Sequence, residues 1–205
     1  MSALGQIVIL NGAPRSGKSS IAAAIQETFA GLWINLGVDH SMRTTPARFQ
    51  PGIGLRPGGE RPDLEPIVVQ LYTALYASIA AHSRLGINVV VDVGHHDAYS
   101  RPLGILPACA QRLHGLPVLF VGVRCPLEVI MQRRIATGYN RDAETTVPLP
   151  VLRWQEVVHA PGVYDLEVDT SVLSVQRCAE QIRHRLAGSP PTAFEQITAM
   201  GATHG

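Results

Sequence analysis

The sequence has little that would serve a disulfide scaffold, a membrane segment or a nucleic-acid surface. Its three cysteines are odd in number, far apart and form no Cys-x-x-Cys pair, so we predict no disulfide framework, zinc site or redox motif. The 17 basic and 16 acidic residues leave a formal net charge of only +1. No apolar run reaches the roughly 18 residues of a membrane span. We therefore expect no nucleic-acid partner and no membrane association.

The N-terminus lacks the basic and then apolar stretch of a secretory signal, which favours a cytoplasmic location. A length of 205 residues suits about one domain with a single hydrophobic core. Because the chain has no overall basic field, any anion binding has to come from a local motif.

Such a motif lies near the N-terminus, where an apolar run at 7–10 leads into GAPRSGKS at 12–19. The pattern Gly-x-x-x-x-Gly-Lys-Ser between a strand and a helix predicts a loop whose backbone N–H groups bind the phosphates of ATP. Lys18 is expected to reach the β- and γ-phosphates, and Ser19 to ligate Mg²⁺. The alternative is a chance match in a glycine-rich turn. The predicted nucleotide-binding residues of this loop are Gly12, Ala13, Pro14, Arg15, Ser16, Gly17, Lys18, Ser19 and Ser20.

Apolar, β-branched runs alternate with segments of helical periodicity along the rest of the chain. This alternation predicts an α/β protein with a three-layer P-loop NTPase fold, in which helices cover both faces of a five-stranded parallel sheet. Ligands of such a sheet bind beyond the carboxyl ends of its strands. The predicted strands cover about 6–11, 32–36, 87–92, 117–123 and 166–169, and the predicted helices about 17–29, 66–85, 98–114, 126–136, 149–159 and 174–186.

Two aspartates end predicted strands at the edge of the sheet where the phosphate loop lies. Asp92 closes the run VVVD at 89–92, where P-loop enzymes place the carboxylate that holds Mg²⁺ or its water shell. Asp39 closes GVD at 37–39, where it could take the proton of a hydroxyl that attacks the γ-phosphate. For both aspartates, the alternative is a structural carboxylate that caps a helix or a turn.

Histidine and arginine side chains are further candidates. His40, His95 and His96 lie close in sequence to the two aspartates, so we expect them to contact the molecule that receives the phosphate, the acceptor substrate. A metal site at His95 and His96 is the alternative, but adjacent histidines point to different faces and no further ligand spacing is evident. Arg133 and Arg141 flank a polar stretch and are expected to neutralise charge on the nucleotide in the transition state. A solvated helix face is the alternative for both.

The same features predict the domain organisation. Five prolines and four glycines between 42 and 66 make regular structure improbable there, and we expect residues 40–66 to form an acceptor-binding insertion. The polar stretch within 133–147 suits a small lid over the nucleotide. Residues 1–187 are therefore predicted to form one kinase domain. Residues 188–205 are small and polar and predict a flexible tail, in which only Phe194 and Ile197 could provide anchors.

Several separated motifs together resemble the chloramphenicol phosphotransferase-like family. They are ILNG leading into SGKS (9–12 and 16–19), LGVD (36–39), VVD (90–92), VGVRC (121–125), and VVH running on to YDLEVDT (157–159 and 164–170). The resemblance covers about 7–170 and implies an adenylate-kinase-like fold. It also implies that Asp39 is the catalytic base, and it supports Arg133 directly. Asp92 is followed by Val93, where a member of the family has a second aspartate.

We therefore expect an ATP- and Mg²⁺-dependent O-phosphotransferase that moves the γ-phosphate to a small-molecule hydroxyl, with Asp39, Lys18 and Arg133 as catalytic residues. The resemblance implies a relationship to the antibiotic-modifying chloramphenicol 3-O-phosphotransferases. Two alternatives stay open. One is a metabolic kinase of the same fold that acts on a nucleotide, sugar-nucleotide or shikimate-like acceptor, and the other is a non-enzymatic NTP-dependent switch. Self-association into a homo-oligomer also stays open.

Overall fold

The computed structural model describes residues 3–138, 147–160 and 162–202. Within them, five parallel strands form one sheet in the order β2-β3-β1-β4-β5, which confirms the predicted α/β fold. The strands are β1 (Ile7–Asn11), β2 (Trp33–Asn35), β3 (Asn88–Val93), β4 (Val118–Arg124) and β5 (Leu166–Asp169). The helices are α1 (Lys18–Thr28), α2 (Val38–Thr44), α3 (Glu65–Arg84), α4 (Ile105–Arg112), α5 (Leu127–Ala136), α6 (Leu149–Val157), α7 (Val175–Leu186) and α8 (Ala193–Ala202).

The central strand β1 is buried on both faces because its residues alternate between two cores. Ile7 and Ile9 pack against α3 and α4, whereas Val8 and Leu10 pack against α1 and α7. All four side chains are completely buried, as expected for a continuous apolar run in the middle of a parallel sheet. In the register of the sheet Leu10 pairs with Asp92, so the carboxylate of β3 lies at the level where the phosphate loop begins.

The segment 40–66 contains more regular structure than its prolines and glycines predict. Helix α2 begins at Val38, directly after β2, and two 3₁₀ turns follow at Ala47–Phe49 and Gly52–Gly54. The side chains of Ile53 and Leu55 are buried in the core beside α3. The expectation of an irregular segment is therefore wrong for its first half, because these apolar side chains anchor the turns onto α3.

Helix α4 begins later than the predicted 98–114. The carboxylate of Asp97 accepts hydrogen bonds from the backbone N–H groups of Leu103 (2.7 Å) and Gly104 (3.1 Å), which holds the preceding segment in a loop. Gly104 has φ of +62°, a left-handed conformation that favours glycine, and the helix starts at Ile105. Local side-chain bonding by an aspartate thus replaces the first turns of the predicted helix.

The prediction of a flexible tail over 188–205 needs correction, because its described part forms α8. This helix packs on α4 with Phe194 and Ile197 buried, the two residues that were predicted as anchors. The Asp165 carboxylate accepts hydrogen bonds from the backbone N–H groups of Thr192 (2.7 Å) and Ala193 (3.0 Å). An acceptor at a helix N-terminus satisfies donors that the helix itself leaves unpaired, so Asp165 fixes the start of α8.

None of the helices in these three described ranges combines the length and the apolar character that crossing a bilayer requires.

Candidate active site

The phosphate loop joins β1 to α1, and it brings the predicted residues 12–20 together in one turn and the first turn of the helix. Gly12 lies so close to β4 that a Cβ there would be 2.5 Å from the carbonyl oxygen of Val123. Gly17 has φ of +96° directly before Lys18, and Arg15 has φ of +70° although it is not glycine. Left-handed residues in a loop before a helix N-terminus are typical of anion-binding loops.

Lys18 lies at the centre of the charges in this region. Its ammonium group donates 2.8 Å hydrogen bonds to the carbonyl oxygens of Gly12 and Ala13. Burial lowers the pKa of Lys18 to about 8, while the negative charges of Asp92 and Asp39 oppose that shift. Both carboxylates therefore lie within electrostatic reach of one ammonium group, and an added phosphate would favour its charged form further.

Ser19 and Asp92 meet at the other side of the loop. The Ser19 hydroxyl donates a 2.6 Å hydrogen bond to Asp92 Oδ2, and the Asp92 residue is buried. The backbone of Gly37 closes over the same carboxylate, because a Cβ at that position would be 1.6 Å from Asp92 Oδ1. The paired hydroxyl and carboxylate are hard oxygen donors of the kind that Mg²⁺ binds in phosphoryl-transfer sites.

The sequence predicted Asp39 at the end of a strand. In the structure it lies in the first turn of α2. The residue is exposed, and so is its neighbour His40. Among the described residues, none donates a hydrogen bond to the Asp39 carboxylate, and the N-terminus of α2 has no side-chain cap at Gly37. The carboxylate is therefore available to a ligand on the side of the sheet where Lys18 lies.

Arg133 forms hydrogen bonds to the phosphate loop and to the segment after β5. It lies in the last turn of α5 and donates hydrogen bonds to the carbonyl oxygens of Thr170 (2.7 Å) and Arg15 (3.2 Å). The Thr170 hydroxyl in turn donates to the carbonyl oxygen of Ser16 at 2.6 Å. The guanidinium thus joins the phosphate loop to the segment after β5. Arg141, the second predicted lid arginine, lies outside the described residues.

Both histidines that follow β3 are buried. His95 Nε2 lies 2.7 Å from the Tyr76 hydroxyl, and its ring stacks on Tyr72 with the ring centroids 4.7 Å apart. His96 Nε2 lies 3.1 Å from the carbonyl oxygen of Leu55. Burial lowers the pKa of His95 to about 3 and also lowers the pKa of His96, so both rings are neutral near pH 7.

Asn11 is a site residue to which sequence reasoning gave no role of its own. Its buried amide nitrogen donates to the carbonyl oxygen of Val158 (2.8 Å) and to the Tyr164 hydroxyl (2.9 Å). Its amide oxygen accepts a 2.7 Å hydrogen bond from the backbone N–H of His95. Asn11 therefore connects the start of the phosphate loop to the end of β3 and to the segment after α6. The sequence signal is a polar residue directly after the apolar run of β1.

Metal sites built from the protein alone are not found in residues 3–138, 147–160 and 162–202. No three His, Cys, Asp or Glu side chains in these ranges converge in a way that could hold a metal ion. Cys109, Cys125 and Cys178 are all free and buried. A magnesium ion at Ser19 and Asp92 would therefore depend on phosphate oxygens for further ligands, which is usual for Mg²⁺.

Comparison with known proteins agrees with this geometry. The model of the chloramphenicol phosphotransferase-like family matches residues 5–187. A Mycobacterium tuberculosis protein that carries the provisional name O-phosphotransferase is 25% identical over 213 residues, which cover 94% of this chain and 88% of the relative.

Solved structures with the same fold include two small-molecule kinases. The Mycobacterium tuberculosis APS kinase, in complex with AMPPNP and APS, gives a TM-score of 0.58 at 20% identity and covers 91% of this chain and 99% of its own. The shikimate kinase from Acinetobacter baumannii, in complex with shikimate, gives 0.57 at 12% identity and covers 89% of this chain and 93% of its own. At these identities the likeness establishes the fold, a P-loop kinase fold, and not the substrate.

Proposed function

This chain belongs to the chloramphenicol phosphotransferase-like family, and from that premise we propose that it transfers the γ-phosphate of ATP to a hydroxyl group of a small molecule. The observation that carries the proposal is the position of Lys18 in the phosphate loop, within electrostatic reach of both Asp92 and Asp39. One carboxylate is buried and paired with a loop hydroxyl, and the other is exposed and unpaired among the described residues. These are the two environments that a metal-side carboxylate and a base require.

The residues present suit ATP and Mg²⁺. The loop amides and Lys18 would hold the phosphates, and Ser19 with Asp92 would hold the metal through oxygen atoms that are 2.6 Å apart. When bound, Mg²⁺ supplies positive charge at the phosphate oxygens. Lys18 also reaches this region, and Arg133 holds the loop in shape through its bonds to Arg15 and Thr170. We propose that Lys18 and Arg133 both stabilise the charge that develops on the phosphoryl group.

Asp39 is proposed as the base for the acceptor substrate. A new bond forms between the hydroxyl oxygen and the γ-phosphorus, the bond from that phosphorus to ADP breaks, and the hydroxyl proton passes to the Asp39 carboxylate. No covalent intermediate with the protein is needed. His40 follows Asp39 on α2 and is exposed, so it is proposed to contact the acceptor substrate. Arg141 keeps its predicted role in a lid over the nucleotide.

The decisive experiment is a screen of hydroxyl compounds with γ-labelled ATP and Mg²⁺, scored by the mass gain of one phosphoryl group. Lys18→Ala should lower turnover by about 100-fold or more, because it removes a charge from the phosphate site. The matched control is Arg177→Ala, which removes an exposed cation from α7 and should leave turnover unchanged. Release of inorganic phosphate alone, with no labelled compound, would favour an NTP-dependent switch. Labelling confined to nucleotides, sugar nucleotides or shikimate would identify a metabolic kinase instead.

A further inference from the structure

A cavity of about 500 Å³ lies between α4 and α8, at the amino ends of the strands. Its wall includes Val118, the first residue of β4, which pairs with Ile7 at the start of β1. The phosphate loop begins after Asn11, at the opposite end of β1. The cavity is therefore separate from the candidate active site, and its volume falls in the range of roughly 300–1,000 Å³ that is usual for small-molecule sites.

Most of the cavity wall is apolar. The side chains that form this apolar surface belong to the N-terminal segment, to the end of α4 and to the start of α8, and they include Leu4, Leu113, Leu116, Pro190, Pro191 and Phe194. Leu4 is an exposed large hydrophobic residue. A ligand with an apolar body would remove this surface from water, which is the main favourable contribution in such sites.

The wall carries one carboxylate and no permanent cation. Among its described residues Glu195 is the only acidic one, His114 is the only other titratable one, and none is lysine or arginine. Glu195 lies exposed in the first turn of α8, and its carboxylate has no hydrogen bond or ion pair within the described ranges. An ammonium group would find its counter-charge here, whereas a carboxylate or phosphate group would be repelled.

Phe194 connects the cavity to the interior of the protein. Its ring packs edge-on against Phe120 in β4 with the ring centroids 5.1 Å apart, and Phe120 packs on Tyr164 at 4.8 Å. The Tyr164 hydroxyl accepts a 2.9 Å hydrogen bond from the amide nitrogen of Asn11, which directly precedes the phosphate loop. Three packed rings and one hydrogen bond therefore join the cavity to the start of the loop.

Asp165 provides a second connection, because it follows Tyr164 directly in the chain. Besides the two N–H groups at the start of α8, its carboxylate accepts a 2.9 Å hydrogen bond from the backbone N–H of Phe120. The backbone N–H of Asp165 donates to the Phe120 carbonyl oxygen, also at 2.9 Å. Helix α8 thus cannot move away from α4 without disturbing these bonds. A ligand that fits the cavity as it stands would stabilise the arrangement in which Tyr164 holds Asn11.

We infer that this cavity is a regulatory site for a small molecule with an apolar body and one ammonium group. The apolar body fills the cavity, and the ammonium group pairs with Glu195. Because occupancy stabilises the packed rings that fix Asn11, it raises the affinity of the phosphate loop for nucleotide. As regulation of a phosphotransferase the inference rests on the proposed function, but the coupling itself concerns nucleotide binding alone.

Three probes share one apolar body and differ in charge: phenylbutylamine, phenylbutanol and phenylbutyrate. In calorimetry at about pH 7.5, where an ordinary histidine is mostly neutral, the amine should bind most tightly and the carboxylate least. Glu195→Gln should weaken the amine about fivefold, the upper end for an exposed ion pair, and leave the alcohol unchanged. Glu180→Gln is the matched control, since this exposed carboxylate on α7 lies outside the wall. Equal binding of the three probes, or no binding, overturns the inference.

Thr198→Phe tests the location of the bound probe. Thr198 is a partly exposed residue of the wall on α8, so the larger side chain enters the cavity. The variant should lose phenylbutylamine binding, and urea unfolding shows whether it is folded. Glu195→Gln, which changes almost no volume, keeps the test open if Thr198→Phe does not fold. A folded Thr198→Phe protein that binds the amine like wild type would place the probe elsewhere and overturn the inference.

The coupling is measured with AMPPNP and without any acceptor substrate. Saturating phenylbutylamine should tighten AMPPNP binding about fivefold or more, and AMPPNP should tighten phenylbutylamine binding by the same factor. Tyr164→Phe keeps the three rings and removes the bond to Asn11, so it should keep amine binding and lose the coupling. An unchanged AMPPNP affinity, or a coupling that survives in Tyr164→Phe, contradicts the inference.

These measurements separate the inference from the proposed function. Cooperative binding of phenylbutylamine and AMPPNP by a protein that phosphorylates no compound supports the regulatory site and contradicts phosphotransfer. Phosphotransfer by a protein whose AMPPNP affinity does not respond to phenylbutylamine supports the function and overturns the site. Light scattering tests another occupant: a wild-type dimer that Thr198→Phe converts to a monomer would mean that a second copy fills the cavity, which also overturns the inference.

Discussion

The hydroxyl of Ser19 and the carboxylate of Asp92 are joined by a 2.6 Å hydrogen bond that links the first turn of α1 to the end of β3. These two elements are held at one level because β1 and β3 are paired with Leu10 opposite Asp92. The bond therefore keeps two oxygen atoms that could bind a metal close together. In the proposed function, this pairing would let a serine and an aspartate 73 residues apart act on one magnesium ion.

Asp92→Asn removes the charge of this pair and keeps its shape. We expect the Mg²⁺ concentration at half-maximal turnover to rise by about 10- to 100-fold, while metal-free nucleotide binding changes little. Turnover measured across a Mg²⁺ titration, with nucleotide affinity from calorimetry, tests this. An unchanged titration curve would mean that Asp92 is a structural carboxylate that only accepts the hydrogen bond from Ser19.

Asp39→Asn tests the base. General-base assistance is worth about 10²- to 10⁴-fold, so kcat should fall by that range while the KM for ATP stays nearly constant. The low end applies if the hydroxyl loses its proton late, as the loose transition state of phosphoryl transfer allows. Glu180→Gln is the control, since that exposed carboxylate pairs with Arg177 on α7 and should have no effect on kcat. A kcat within about threefold of wild type for Asp39→Asn would contradict the assignment.

Lys18 is the only lysine in the sequence, which makes its titration directly measurable. Burial lowers its pKa to about 8, so acylation by an amine-reactive reagent should rise through that pH, well below the value of about 10.4 for a free lysine. Bound ATP should suppress the labelling, because phosphate favours the charged form and covers the amine. Mass spectrometry of the peptide around Lys18 gives both results. Labelling that rises only near pH 10 would place the amine in water and not in the loop.

The sequence predicted best those elements whose residues carry their own signal. The phosphate loop, β1 and β5 agree with expectation because an apolar run and a fixed glycine spacing determine them locally. The start of α4 does not agree, since it depends on the side chain of Asp97 bonding to Gly104 seven residues away. Helix α8 was missed for a similar reason: its cap, Asp165, lies 27 residues earlier than Thr192. Contacts between distant residues leave no periodic pattern in the sequence.

The candidate site shows the same contrast between features that the local sequence determines and features that depend on contacts between distant residues. Lys18, Ser19 and Asp92 lie close together, because parallel strands bring their carboxyl ends to one edge, and their roles toward ATP and Mg²⁺ stay predictions. The sequence did not predict that His95 and His96 would be buried, since that depends on Tyr72 and Trp154 packing from other helices.

The buried neutral state of His95 predicts a loss of stability in acid. Its pKa is lowered to about 3 by burial, whereas an unfolded histidine titrates near about 6.5. Below about pH 6.5 the unfolded chain binds a proton on this histidine that the folded protein does not bind. The free energy of unfolding therefore falls by about 1.4 kcal/mol for each pH unit. Urea unfolding between about pH 7 and 5 should show this slope, and His95→Gln should reduce it. Equal slopes for the two proteins would show that His95 is not buried as a neutral ring.

The last prediction concerns Asn11, whose amide bonds fix the start of the phosphate loop. Tyr164→Phe removes one of its partners and keeps the ring that packs on Phe120, so it should cost about 1 kcal/mol of unfolding free energy.

Asn11→Asp keeps the size of the side chain and the bond from His95, but a carboxylate cannot donate to Val158 and faces its carbonyl oxygen. We expect it to cost about 3 kcal/mol or more, because a buried negative charge faces the Val158 carbonyl oxygen in place of the lost hydrogen bond. Turnover at saturating ATP should fall with it, since Gly12 follows Asn11 directly and loses its fixed position. Urea unfolding of both variants, with kcat measured where each is fully folded, separates stability from positioning. An Asn11→Asp protein as stable as Tyr164→Phe would mean that the amide does not hold the loop.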